Sequence, residues 1–526
     1  MANARTGKAL SGPPEAGKEN TMEKYMLSID QGTTSSRAMI FGKDGTCVAS
    51  AQESIEQHYP QPGWVEHDPE LLWQTVYNCI RQVLAKANIQ KGQIAGIGIT
   101  NQRETTILWE KNTGRPVYNA IVWQCRRTAP LVEKLKKEDP DFVETVRQKT
   151  GLVPDAYFSA TKIQWILEQV PGLKARAGQG EILFGTVDTW ILYRLTGGRS
   201  HRTDYSNASR TMLFNIRELS WDKELCQYFH IPESMLPEAL PGASEFGFVA
   251  SDIPGLEAIS GVAVCGILGD QPAALFGQTC FSKGDIKNTY GTGCFTLMNV
   301  GEEPIFSKQG LLTSAAWSID GKTTYALEGS VFNAGSTIQW LRDELKLIDH
   351  VSDCDVLAET VPDNGGVVLV PAFSGLGAPY WDMYARGAIV GLTRGTNKAH
   401  IARAALESIA YQVYDLVMLM QQEADCPIQL LKADGGASVS RFMMQFQSDI
   451  LQCQVDRARE RETTSQGVAY LGGLFCGYWN DLEELSALRH SDAVFSPSMP
   501  DEKRTKLLIN WNKAVSRASD WEDKSE

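Results

Sequence analysis

The apolar positions of this 526-residue chain fall into two kinds of run. Short runs bounded by turn residues predict strands, and longer runs with a period near 3.6 predict amphipathic helices. Runs at 26–29 and 38–41 enclose the hydroxyl-rich turn Gln31-Gly32-Thr33-Thr34-Ser35-Ser36, which predicts a tight β-hairpin. Residues 94–100 and 261–268 read as buried strands, and 366–373 as a strand of mostly branched residues. Residues 71–87 read as a helix opened by Asp68-Pro69, residues 161–170 as one stopped by Pro171-Gly172, and 400–420 as a long apolar-periodic helix. The alternation predicts an α/β fold. The stretch 241–260, rich in Gly, Pro, Ser and acidic residues, reads as a surface loop near a junction at about 270–280. The expected division is a disordered tail over 1–22, a first domain over 23–275 and a second over 276–526.

The hairpin turn carries candidate chemistry. Asp30 at the strand end can hold a hydrated Mg²⁺, because a hard cation takes oxygen ligands and keeps several waters. Gly32 permits close backbone approach, and consecutive N–H groups and hydroxyls can form a nest for phosphate oxygens. An ordinary polar turn has the same composition. The second half offers similar turns at Asn288-Thr289-Tyr290-Gly291-Thr292-Gly293 and at Asp434-Gly435-Gly436-Ala437-Ser438-Val439-Ser440-Arg441. The latter repeats the Asp, Gly and Arg spacing of the first hairpin. Two related halves closing on a nucleotide would produce this pattern, and so would chance, since Asp and Gly favour turns.

Composition narrows the classes. Apolar residues at 43 % and charged residues at 21 % suit a globular protein long enough for two large domains. A net charge of −13 argues against sequence-independent nucleic-acid binding but not against ATP, whose phosphates are met locally. The 11 cysteines form no C-x-x-C pair, which suits reduced thiols in a cytoplasmic setting. The 7 histidines lack zinc-site spacing, and no apolar run reaches membrane-spanning length. The first 22 residues lack the apolar core of a signal peptide.

Several polar residues stand at the ends of predicted strands, where α/β sheets collect ligands. Arg103-Glu104 can read a substrate hydroxyl or form a surface ion pair. Trp123 and Tyr157 can wall a small substrate or pack in a core. Asp270 can take a proton from a hydroxyl or cap the helix that follows it. No Walker A sequence and no protein-kinase signature set occurs.

With these residues assembled, the chain resembles the FGGY family of carbohydrate kinases over about 25–521. The resemblance rests on 30–37, 62–69 (PGWVEHDP), 98–106 (GITNQRETT), 119–128 (NAIVWQCRRT), 184–190, 207–216 (NASRTMLFNI), 287–295 and 371–382 (PAFSGLGAPYWD). These runs are most similar to the glycerol-phosphorylating members. The resemblance implies two actin-like, ribonuclease-H-like domains around a central cleft, with ATP and Mg²⁺ as cofactors. It implies that Thr33, Thr34, Ser35, Arg37 and Thr292 meet the phosphates, and that Gly335, Gln339, Gly436 and Ser440 lie near ribose and adenine. Arg103, Glu104, Tyr157, Asp270 and Gln271 would bind glycerol hydroxyls, with Trp123 and Phe295 against its carbons. Asp270 would be the general base, and Asp30 with Asp270 the metal carboxylates. A cytoplasmic homodimer or homotetramer, without nucleic acid or membrane span, is the implied setting.

Two departures from the family pattern stand out. Ser440 replaces the usual asparagine of the adenine loop. No Lys or Arg occurs between Lys223 and Lys283, so the basic loop that binds fructose 1,6-bisphosphate in bacterial members has no cationic counterpart here. A five-carbon sugar would need smaller walls than Trp123 and Phe295, and a non-catalytic scaffold would lack the acceptor set. Trimming Trp123 is expected to impair acceptor use and spare nucleotide binding, because the phosphate turns are separate in sequence.

Overall fold

The computed structural model describes residues 22–523, so the predicted tail, apart from Met22, lies outside the described residues. The first half is built on a six-stranded sheet. Its strands are β1 (Tyr25–Gln31), β2 (Ser35–Phe41), β3 (Cys47–Ser54), β4 (Ile94–Asn101), β5 (Ala243–Phe248) and β6 (Ala263–Gly269), in the order β5-β6-β4-β1-β2-β3. β1 and β2 are the expected hairpin, with Asp30 opposite Arg37. β1, β4 and β6 are mutually parallel, so Asp30, Asn101 and Gly269 end on one edge. Ligands gather at that edge in such sheets.

Both faces of the sheet are covered, which explains the nearly continuous buried runs of its parallel strands β1, β4 and β6. One face packs on α1 (Pro69–Lys86), whose cap Asp68 accepts the Glu70 N–H at 2.8 Å. The other carries α8 (Thr463–Phe475), a helix from the far end of the chain. Gly96, Gly98 and Gly266 lie beneath α8, and a Cβ at Gly98 or Gly266 would overlap its backbone. α8 also crosses α4 (Asp270–Gly277), where a Cβ on Gly277 would meet the Thr463 carbonyl and one on Gly467 the Ala273 carbonyl. The two halves thus meet backbone to backbone beside Asp270.

The second sheet has seven strands: β7 (Ile286–Tyr290), β8 (Cys294–Gly301), β9 (Leu312–Ile319), β10 (Lys322–Val331), β11 (Leu430–Asp434), β12 (Gln454–Ala458) and β13 (Ser491–Phe495). Their order is β9-β10-β8-β7-β11-β12-β13. An antiparallel hairpin, a third antiparallel strand, two parallel strands and an antiparallel edge recur in both sheets. The halves are therefore related in topology. The sequence echo pointed to the wrong partner, however. Asp434 ends β11, which holds the place of β4, and the counterpart of the first hairpin is β7–β8 with its Gly291-Thr292-Gly293 turn.

The reading of 241–260 as a loop is also corrected. β5 is the edge strand of the first sheet, and Phe246, Leu256 and Ile259 are fully buried. Small and acidic neighbours hid that inward alternation. The expected strand at 366–373 shrinks to Val368–Val370, paired with Ala388–Val390. The long helix runs Lys398–Ala424, behind a capping box of Asn397 and His400.

Candidate active site

The strand ends of the first half bring Asp30, Arg103 and Asp270 together. Asp270 is the first residue of α4, and Gly269 occupies the cap position, so the capping alternative does not hold. Its Oδ1 accepts from the Gln271 N–H at 2.8 Å and lies 2.9 Å from Arg103 Nε. Its Oδ2 has only a 3.5 Å contact from the Gln271 amide. One oxygen is thus fixed and the other left open, on a side chain that is 34 % exposed. Asp30 accepts from Ser465 of α8 at 3.0 Å. Burial raises its carboxyl above the usual range, Arg37 and Ser465 oppose this, and the charge of Asp270 adds to it.

Arg103 and Glu104 are not a surface pair. Both are buried, and they stand 3.9 Å apart. Arg103 forks onto Glu328 of β10, with Nη1 donating at 2.7 Å and Nη2 at 2.8 Å. Arg210 donates to Glu104 at 2.6 Å, to Glu328 at 3.3 Å and to Ser314 of β9 at 3.1 Å. Burial alone would raise Glu328, but the two guanidinium groups outweigh it and hold its carboxyl at about 2. Burial raises Glu104, against the pull of Arg210 and Arg103. The chain Asp270–Arg103–Glu328–Arg210–Glu104 crosses between the halves.

The aromatic walls are ordered by the same surroundings. Trp123 meets Tyr157 edge to face at 5.5 Å, and the Arg210 guanidinium lies over Tyr157 at 5.4 Å. The Trp123 indole N–H donates to Thr33 Oγ1 at 2.8 Å. That bond corrects the expectation that the Trp123 wall is independent of the phosphate turn. Trp123→Phe keeps most of the wall and removes the donor, so it is expected to raise the KM for ATP severalfold through a loosened Thr33. Steady-state titration of nucleotide at saturating acceptor checks this, and an unchanged KM for ATP would make the bond incidental. Phe295 lies half-buried at the start of β8.

Across the cleft, Gln271 accepts from Lys287 of β7 at 2.7 Å. Burial lowers the Lys287 ammonium, with Asp434, Glu328 and Asp270 pulling it back up. Thr292 is exposed at its turn, and its carbonyl accepts from Ala334 and Ser336 at the start of α5 (Gly335–Asp343). A Cβ on Gly335 would sit 2.6 Å from the Gly291 carbonyl oxygen, so this junction needs glycine. Gln339 and Gly436 are exposed. Ser440 is buried and occupied: it donates to Asp355 at 2.7 Å and caps α7 (Arg441–Leu451) through Met443 N at 3.0 Å. Arg37 pairs with Glu462 and donates to Gln52 at 3.1 Å, while Ser35 accepts from Gln52 at 2.9 Å; Thr34 is exposed.

Sequence reasoning missed Arg210, Lys287, Glu328 and Glu462. Arg210 and Lys287 sit inside the runs 207–216 and 287–295, which carry the family resemblance. Glu328 had one signal, a lone carboxylate within the apolar run of β10.

Two family patterns cover most of the chain: the N-terminal domain of the FGGY family of carbohydrate kinases over 25–277, and its C-terminal domain over 286–475. Glycerol kinase 2 of Thermotoga maritima is 56 % identical over 95 % of this chain and 99 % of its own length. Glycerol kinase of Clostridium beijerinckii is 55 % identical, covering 95 % and 100 %. The glycerol kinase of Plasmodium falciparum, solved with ADP, superimposes with a TM-score of 0.89 at 39 % identity over 94 % of this chain and 98 % of that one. A xylulose kinase of Lactobacillus acidophilus shares the fold at a TM-score of 0.83 and 23 % identity, over 94 % and 99 %.

Proposed function

The chain belongs to the FGGY family of carbohydrate kinases, and from that premise we infer that it phosphorylates glycerol to sn-glycerol 3-phosphate at the expense of ATP. The observation that carries the chemistry is Asp270, with one oxygen tethered to Arg103 and the other free to accept a proton. A substrate hydroxyl held by Arg103 and Glu104 gives its proton to the free oxygen as its own oxygen attacks the γ-phosphorus. Asp270 is thereby protonated, and ADP leaves with the bridging electron pair. Phosphoryl transfer of this kind depends on positioning and charge stabilisation. The turns at 32–34 and 291–293 face this reaction from opposite halves with N–H groups and hydroxyls suited to phosphate oxygens. Trp123, Tyr157 and Phe295 would leave room for three carbons and exclude water, the competing acceptor.

Mg²⁺ fits the donor set. Asp30 and Asp270 offer hard oxygens, and the Asp30 carboxyl, raised first by burial and further by the charge of Asp270, is one a bound cation would hold ionised. When bound it would neutralise phosphate charge. Gly335, Gln339, Gly436 and Ser440 are assigned to the nucleoside side, Ser440 through the helix it caps rather than by direct contact. We take the domains as 23–275 and 276–526 and the setting as cytoplasmic, with a homodimer or homotetramer as the assembly; among the described residues no helix is long and apolar enough to cross a membrane.

The test is ATP-dependent phosphorylation by the purified protein against glycerol, erythritol and pentuloses. Glycerol should have the highest kcat/KM. A pentulose ahead of glycerol would transfer the assignment to another branch of the family.

A further inference from the structure

Glu104 faces its partners from an unusual backbone. It has φ of 60°, in the left-handed region that a non-glycine residue enters only when its surroundings hold it there. The hold is visible at its carbonyl oxygen, which accepts from Thr106 Oγ1 at 3.1 Å, Ser159 Oγ at 3.0 Å and Lys162 Nζ at 3.3 Å. Lys162 also donates to the Tyr157 carbonyl at 2.6 Å. It lies in the first turn of α2 (Ser159–Gln169) and is fully buried.

A lysine in that place is costly. Its charge is desolvated and sits at the positive end of a helix. Burial accordingly pulls its ammonium down to about 7; Glu104, Cys125 and Asp155 favour the charge, and Arg126 opposes it. A core position on α2 could be filled by an aliphatic residue, as Ile163 and Ile166 show. What an aliphatic residue cannot do is join the turn after β4 to the segment entering α2. Those two segments carry Glu104 and Tyr157, both substrate readers under the function inferred above.

We propose that Lys162 is a positioning residue for the acceptor site, one ammonium that fixes Glu104 in its left-handed conformation and sets Tyr157 against Trp123. It touches neither substrate nor phosphate. Its loss should therefore let the acceptor readers drift while the nucleotide side stays intact.

The experiment compares Lys162→Met, which keeps the stem and removes the donor, with Ile166→Val, a core truncation one turn further along α2. Lys162→Met should raise the glycerol KM by about 10–10²-fold, the usual cost of small misplacement, and leave the ATP KM unchanged. Ile166→Val should lower the Tm and leave both KM values unchanged. Ser159→Ala removes another donor to the same carbonyl and should shift the glycerol KM in the same direction by less. A folded Lys162→Met enzyme with a wild-type glycerol KM would overturn the proposal. If that variant does not fold, an unchanged glycerol KM in Ser159→Ala overturns it instead. Failure of the wild-type protein to phosphorylate glycerol would count against the functional reading alone, and the same ratio of variant to wild-type KM would then be read on the acceptor the wild type does use.

Discussion

Asp270→Asn is expected to lower kcat by ~10²–10⁴, the range a positioned general base supplies. The substitution is nearly isosteric, and its consequences differ between the two oxygens. The inner one remains a carbonyl that can still accept from the Gln271 N–H beside Arg103, so the start of α4 should keep its place. The outer one becomes an NH₂, which cannot accept a proton. Glycerol affinity should change little, because an amide still hydrogen-bonds a hydroxyl. The Tm should hold or fall slightly, since Arg103 keeps its fork onto Glu328. Steady-state kinetics with a calorimetric glycerol titration separates these effects. A variant that turns over like the wild type would remove Asp270 from the role of base and leave it as an orienter of Arg103.

How far this site could be read from sequence follows from where each residue's information lies. Asp30 and Asp270 were legible because each ends an apolar run, and parallel strands end on one edge. The helix at Pro69–Lys86 was legible because its cap and first turn are local. The partners were not. Arg103 and Glu328 are 225 positions apart, and nothing in either neighbourhood marks the other. Glu328 lies in a strand whose other residues, from Tyr325 to Leu327, are those of an ordinary buried core. The strand Ala243–Phe248 was lost for the opposite reason: an edge strand with one buried side chain has little apolar pattern to display. Ser440 is a third case. A serine before an apolar helix is both a loop residue and a cap, and only the helix beginning at Arg441 decides for the cap.

Glu328→Ala is expected to cost about 3–5 kcal/mol, the usual penalty for stranding a buried charge by removing its partner. Here two guanidinium groups lose it, Arg103 and Arg210, both at most 2 % exposed, and each keeps one carboxylate, Asp270 and Glu104. The depression of the Glu328 carboxyl agrees in scale. Glu328 is held at about 2 against an ordinary 4.5, and a gap of that size is worth roughly 3 kcal/mol at 1.36 kcal/mol per unit. A depressed carboxyl stabilises the fold above its unfolded value, and that contribution is lost as pH falls through 4.5 towards 2. Glu328→Gln should therefore flatten part of the acid limb of the stability curve, losing most relative to the wild type at neutral pH and least near pH 2. It should also raise the glycerol KM, since the fork that aims Arg103 comes from the opposite half of the molecule. Chemical denaturation across pH 2–7 for wild type and variant checks the first effect, and acceptor kinetics checks the second. A constant offset between the two curves would show that Glu328 contributes through packing rather than charge. An unchanged glycerol KM beside a lost acid limb would confine the bridge between the halves to stability and leave Arg103 aimed by Asp270 alone.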